Sequence, residues 1–330
     1  MRPDVRCWLG RRSSRAADWP LPDLLARKGA TTVSVVLPAR DEEATVGSIV
    51  ATIRHDLVDR APLVDEVVVV DSGSTDRTAA VAAASGARVV HRDDALPELP
   101  ALPGKGEVLW RSLAVTTGDL VVFVDADLTE FSARFVTGLL GPLLSDPTVA
   151  FVKGAYDRPL GAARGGGGRV TELVARPLLN LHWPQLAGFV QPLGGEYAAR
   201  RELLEALPFA TGYGVELGLL VDALDRVGLD ALAQVDLGER RHRHRDTAAL
   251  GLMSSEILQT AMDRLERQDR IVRLVETAPR LVQFRRPADG EGWAVDVHDV
   301  RARERPPIAR LVGVRRSAGR IDAPSTLSTP

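Results

Sequence analysis

Apolar residues gather in short runs along the first 130 positions. VSVVLP at 33–38 is a near-continuous apolar run, the pattern of a strand buried on both faces. The period then changes. Val46, Ile49, Val50, Ile53 and Leu57 recur at helical spacing and predict a helix with one apolar face. Four valines at 67–70 predict a second strand, which runs into the polar DSGSTD at 71–76. Ser74 or Thr75 is placed to cap an Ala-rich helix that continues to Ser85. RVVH at 88–91 predicts a third, shorter strand. Positions 104–117 read as loop then helix, and LVVFVD at 120–125 as a fourth strand. Strand and helix alternate four times, which implies an α/β fold with a parallel sheet covered on both faces.

The second half is less regular. It predicts a strand at 149–153, a Gly/Arg loop at 161–169 and a helix at 170–181 interrupted by Pro177. A clearer helix at 215–227 carries Leu219, Leu220, Ala223, Leu224 and Val227. A strand at 232–237 leads into GERRHRHRD at 238–246, and a helix at 248–268 closes the compact part. The ends lack period. Residues 1–30, rich in Arg, Pro and Trp, read as an arm that docks on a partner subunit. Beyond about 280, Arg, Pro and Gly accumulate, as in a mobile tail.

Composition narrows the function classes. With 45% hydrophobic and 26% charged residues, the 330-residue chain can bury a substantial core. Its 42 basic and 44 acidic residues nearly cancel, so wholesale binding of nucleic-acid phosphates is not expected. Cys7 is the single cysteine, which excludes an internal disulfide or a cysteine zinc cluster. No apolar stretch reaches the ~18 residues of a membrane span, and the first residues lack a signal-peptide core. A cytoplasmic protein with no membrane partner is the expectation.

In a parallel sheet the ligand lies beyond the carboxyl ends of the strands. Polar residues fall there after three strands: Arg40, Asp41 and Glu42; Asp71 and Ser72; Asp125 and Asp127. Two carboxylates one residue apart can share a hard divalent cation such as Mg²⁺ or Mn²⁺, and equally they can form a turn. Glu42 suits either a ligand or the first turn of the following helix. Lys105, one of three lysines in the chain, sits between two glycines before a helix, a setting that suits a phosphate; a solvated loop lysine is the other reading, against which its rarity beside so many arginines speaks. Arg169 and Thr171 stand at the mouth of the Gly/Arg loop, whose N–H groups suit an anion; a plain connector is the other reading. His242 and His244 alternate with Arg240, Arg241, Arg243 and Arg245, a metal ligand set beside cations or a solvated basic loop. Glu216 opens an apolar helix, where a carboxylate either complements the helix end or meets a sugar. His55, His91, His182 and His298 have no such company and read as structural or surface residues.

Taken together the motifs resemble a GT-A glycosyltransferase. VSVVLPARDEE at 33–43, VVVVDSGSTD at 67–76 and VDAD at 124–127 are similar to the family-2-like group. FVKGAY at 151–156, GGGRVTEL at 166–173, QPLGGEY at 191–197 and GYGVE at 212–216 resemble the actinobacterial glucosyl-3-phosphoglycerate synthases, over about residues 20–270. Two positions depart from that pattern. Asp41 and His244 stand where the family commonly has Asn, which puts acceptor contacts at His244 in question.

The resemblance implies a Rossmann-like nucleotide-sugar domain with a mostly parallel sheet and a smaller helical acceptor region. The halves would be 31–150 for the donor and 151–270 for the acceptor, flanked by arms at 1–30 and 271–330. It implies retaining transfer of glucose from UDP-glucose to the 2-hydroxyl of 3-phosphoglycerate, feeding methylglucose lipopolysaccharide synthesis, by a homodimer using Mg²⁺ or Mn²⁺. Pro38, Ala39, Arg40, Asp41, Glu42, Ser72 and Lys105 would hold the uridine and diphosphate side, with Arg240 and Arg245. Asp125 and Ala126 would contact the nucleotide sugar; Leu193, Tyr213, Gly214, Val215 and Glu216 would line the glucose. Asp127 and His242 would bind the metal, Asp127 and Glu216 being the catalytic pair. Gly168, Arg169, Val170, Thr171 and His244 would hold the phosphoglycerate. Three rivals stand beside this reading: a polyprenyl-phosphate glycosyltransferase, a nucleotidyltransferase and a nucleotide-sugar sensor without activity. The acidic DEE after the first strand speaks against the second, which usually carries a basic, Gly-rich signature there.

Overall fold

The computed structural model describes residues 1–158, 168–240, 246–275, 278–286 and 292–311. The strands, in chain order, are β1 (Ser13–Arg15), β2 (Val33–Ala39), β3 (Glu66–Asp71), β4 (Arg88–His91), β5 (Leu120–Phe123), β6 (Phe151–Asp157), β7 (Tyr197–Arg200), β8 (Phe209–Ala210), β9 (Leu232–Glu239), β10 (Arg280–Arg285), β11 (Ala294–Asp299) and β12 (Glu304–Arg305). The α-helices are α1 (Pro3–Arg12), α2 (Leu21–Lys28), α3 (Val46–Arg54), α4 (Thr78–Ala84), α5 (Lys105–Val115), α6 (Arg134–Ser145), α7 (Arg176–His182), α8 (Arg201–Ala206), α9 (Val215–Val227) and α10 (Thr247–Arg267).

Among the described residues the central sheet runs β1-β9-β6-β7-β5-β2-β3-β4. Only β7 lies antiparallel to its neighbours, β5 and β6. Alternation along the strands splits the core in two. Val35 and Leu37 pack on one face with Ile49, Ile53 and Leu139, while Val36, Val68 and Phe123 pack on the other with Leu109 and Leu217. Both faces are apolar, which is why the strands read as continuous hydrophobic runs.

Several expectations change in detail. Ser74 does not cap α4; its hydroxyl donates to Asp71, while Asp76 accepts from the Thr78 N–H. The 170–181 helix carries a wider-wound turn, Thr171–Ala175, directly before Pro177, so the proline falls where the regular hydrogen-bond ladder is already interrupted. Helix α6 has no counterpart in the sequence reading. Gly138, Gly141 and Pro142 depress its propensity, but burial of Phe135, Val136, Leu139, Leu140 and Leu143 against the sheet outweighs that.

The N-terminal segment is not an arm. β1 pairs in parallel with β9 and completes the sheet. Val5, Trp8 and Leu24 are fully buried. The Trp8 indole donates 2.8 Å to the Leu232 carbonyl and packs 4.6 Å, centroid to centroid, from Phe189. Four arginines within α1 and its C-cap neighbourhood mask this narrow apolar face in the sequence. Trp8→Ala is therefore expected to destabilise the protein by about 3–5 kcal/mol, read as a lower urea midpoint with unchanged slope.

The described parts of the C-terminal segment are also folded onto the rest of the chain. β10 and β11 form a hairpin, and β12 pairs with β8. Arg305 bonds the buried Glu107 of α5 at 2.7 and 2.8 Å, and Ile308 is buried. Charge pairing rather than apolar period fastens this strap, so it left no hydrophobic signature.

Candidate active site

The carboxyl ends of β2, β3 and β5 open into one cavity of about 610 Å³. Arg40 and Glu42 reach it from β2, Ser72 from β3, and Asp125, Ala126 and Asp127 from β5. Pro38, Ala39, Leu193, Tyr213, Gly214, Glu216 and Arg240 also line it, as do Gly168, Arg169, Val170 and Thr171.

Lys105 opens α5 and reaches the centre of the cavity. Its Nζ lies 2.5 Å from Asp125 Oδ1 and 2.9 Å from Glu216 Oε1. Burial works against the ammonium, yet the two carboxylates hold its pKa above the ordinary lysine value. The flanking glycines serve close packing: a Cβ on Gly106 would stand 1.8 Å from the Ala210 carbonyl. Behind Asp125 lies Arg240, buried, with Nε 3.0 Å from Glu196 and Nη2 2.7 Å from Asp125 and 3.2 Å from Asp127. Burial would raise the Asp125 pKa, but Lys105 and Arg240 hold its carboxyl well below the usual carboxylate range.

Asp127 behaves oppositely. Burial, and then the charge on Asp125, push its pKa up. In this network Lys105 and Arg240 face four carboxylates, those of Asp125, Asp127, Glu196 and Glu216. Asp127 has the longest contact of the four, 3.2 Å from Arg240, and lines the cavity as a hard oxygen donor. That donor chemistry fits Mg²⁺ or Mn²⁺.

Two predicted site residues do not line the cavity. Val215 is buried in the core. Asp41 adopts a left-handed backbone at φ 56° and its Oδ1 accepts from the Thr75 N–H at 2.7 Å. Asn tolerates that conformation and offers the same oxygen, so the departure at 41 conserves the turn. His242, His244 and Arg245 lie outside the described residues.

Four residues without an assigned role in the sequence reading line or adjoin the cavity. Glu196 anchors Arg240. Arg158 lines the cavity and donates 3.0 Å to the Tyr156 hydroxyl. Lys153 is buried beneath it, donating 2.5 Å to the Gly194 carbonyl and lying 4.5 Å over the Tyr197 ring. Burial lowers its pKa to about 7. Its rarity as a lysine was the available signal. Glu256 of α10 lines the cavity and accepts 2.6 Å from the Tyr213 N–H; only the unremarkable polarity of its helix face was visible in sequence.

A mostly parallel sheet with a carboxylate-rich, cation-laced cavity at its strand ends is the frame of a nucleotide-sugar glycosyltransferase. Residues 34–169 match the glycosyl transferase family 2 model. Glucosyl-3-phosphoglycerate synthase of Mycolicibacterium smegmatis is 52% identical over 308 residues, covering 92% of this chain and 98% of that protein. The chain belongs to the glucosyl-3-phosphoglycerate synthase family. A crystal structure of the Mycobacterium tuberculosis glucosyl-3-phosphoglycerate synthase with Mn²⁺, UDP-glucose and phosphoglyceric acid is 48% identical, with a TM-score of 0.78 over 89% of this chain and 95% of that one. Mannosyl-3-phosphoglycerate synthase from Rubrobacter xylanophilus is 44% identical, with a TM-score of 0.86 over 93% and 98%.

Proposed function

We infer that this protein transfers glucose from UDP-glucose to 3-phosphoglycerate. The observation that carries the reading is a single cavity that joins the Lys105–Asp125–Asp127–Arg240 centre to the Gly168–Thr171 wall, in a chain with 52% identity to a glucosyl-3-phosphoglycerate synthase. We propose the 2-hydroxyl as the acceptor atom, with retained configuration, and the product as the start of methylglucose lipopolysaccharide synthesis.

Pro38 to Glu42 and Ser72 would seat the uridine, and Lys105 the diphosphate. Asp127, with His242, would hold a divalent cation, which when bound would neutralise charge that develops on the departing UDP. Lys105 adds an ammonium beside it, and Arg240 keeps Asp125 and Asp127 at fixed separation. Glu216 and Asp125 are both engaged by Lys105, so neither stands ready as a nucleophile. That supports attack on the same face of the sugar, the departing phosphate accepting the hydroxyl proton and Glu216 steadying the glucose. Arg169 and the N–H groups beside it would hold the acid's phosphate or carboxylate.

Arg169→Ala is expected to raise the acceptor KM about 10- to 100-fold, from the loss of a charge-assisted hydrogen bond worth about 1.5–3 kcal/mol, with little change in donor KM. Steady-state kinetics with each substrate varied in turn checks this; an unchanged acceptor KM reduces the segment to a connector. The similarity to the Rubrobacter enzyme raises mannose as the second transferable sugar, so UDP-glucose and a nucleotide-linked mannose belong in the same assay.

A homodimer is part of the proposal. In the β10–β11 ribbon Val282 faces Val297 and Phe284 faces Val295, so these side chains share one face. Each is about half exposed or more. A second copy would cover them. Light scattering should give twice 35.6 kDa for the native chain, and the monomer mass for Phe284→Asp combined with Val297→Asp. No helix among the described residues is long and apolar enough to cross a membrane. The cytoplasm, where a nucleotide sugar and phosphoglycerate meet, is the compartment proposed.

A further inference from the structure

Glu256 is a carboxylate in the cavity wall with no salt-bridge partner among the described residues. It sits on α10, opposite the 212–216 segment that contributes Tyr213, Gly214 and Glu216 to the cavity. One oxygen, Oε2, accepts from the Tyr213 N–H at 2.6 Å. A Cβ on Gly212 would stand 2.0 Å from that same oxygen, so any larger residue there would turn the Glu256 side chain aside. The other oxygen, Oε1, makes no hydrogen bond among the described residues. Burial pushes the carboxyl above its ordinary range. Glu256 is half-buried in the cavity wall, so Oε1 is able to accept a hydrogen bond from a ligand there.

The chemistry of the two proposed substrates selects that ligand. A carboxylate repels the diphosphate and the phosphorylated acid. Uridine is assigned to Pro38–Glu42 and Ser72, on other elements of the wall. The glucose ring remains, an uncharged group that offers hydroxyl donors. We propose that Glu256 is a specificity-determining residue, with Oε2 fixing the 212–216 segment and Oε1 accepting a hydroxyl of the donor sugar. This rests on the UDP-glucose reading and goes beyond it by naming the group that senses the sugar.

Binding of UDP and of UDP-glucose by calorimetry, in the presence of Mg²⁺, separates this role from a structural one. Glu256→Gln keeps an oxygen for the Tyr213 N–H and turns an amide donor toward the sugar. It should weaken UDP-glucose binding about 10- to 100-fold and leave UDP binding unchanged. Glu256→Ala should lose UDP-glucose affinity at least as far, and thermal melting of both variants reports any loss of fold. Glu256→Gln binding both ligands as the native protein does overturns the proposal, because the residue then serves only the loop. Equal weakening of both ligands overturns it too. Turnover of UDP-glucose by the native protein is measured alongside: no turnover removes the functional reading and this inference together, whereas native turnover with an indifferent Glu256→Gln removes this inference alone.

Discussion

Asp127→Ala is expected to lower kcat by at least about 100-fold while the fold survives. Asp127 is the most loosely held of the four carboxylates that share Lys105 and Arg240, at 3.2 Å from Arg240. Removing it deletes the donor that answers a divalent cation and leaves Arg240 still paired with Asp125 and Glu196 at 2.7 and 3.0 Å. Stability should therefore change little or rise, because burial and the Asp125 charge already disfavour the Asp127 carboxylate. The same loss should follow from chelation with EDTA and be reversed by Mg²⁺ or Mn²⁺. Full activity of Asp127→Ala, or of chelated native protein, would remove the metal from the account.

Lys105→Ala is the second large effect. It removes the ammonium beside the departing diphosphate and also strands two carboxylates, Asp125 and Glu216, that Lys105 holds at 2.5 and 2.9 Å. The first loss should lower kcat about 10²–10³-fold. The second is the breaking of a largely buried pair, which destabilises by roughly 3–5 kcal/mol, so melting must be measured beside kinetics. Lys105→Arg keeps the charge but not its shape. A planar guanidinium cannot stand at one point between two carboxylates, and Gly106 already packs against the Ala210 backbone, so rescue should be poor. Native kcat in Lys105→Ala would mean that the ammonium does not meet the leaving group.

The first half of the fold was legible because its strands are buried on both faces and its helices are amphipathic, so period and burial coincide. β2, β3, β4 and β5 and the helices between them appear where the hydrophobic pattern put them. The legibility ends where tertiary contacts overrule local pattern. α1 buries only a narrow face built on Val5 and Trp8 among arginines, α6 tolerates Pro142 because the helix is buried along most of its length, and β12 is fastened by Arg305 on Glu107. The site divides in the same way. Residues at the ends of predicted strands, Ser72, Asp125 and Asp127, could be named from the strand-end rule, and Arg169 and Lys105 from glycine-flanked cations. Glu196 and Glu256 could not, because a carboxylate becomes part of a site only when the fold brings it to Arg240 or to the Tyr213 N–H.

The central claim is tested most directly by product identity. The native protein is incubated with UDP-glucose, Mg²⁺ and a panel of phosphorylated three-carbon acids, beside a polyprenyl phosphate and a nucleotide-linked mannose, and products are identified by mass. The account predicts UDP release coupled to one hexose added to 3-phosphoglycerate, with the other acceptors unmodified and UDP-glucose the preferred donor. Glucose transfer to the polyprenyl phosphate alone, or no acceptor-dependent release of UDP, would contradict it.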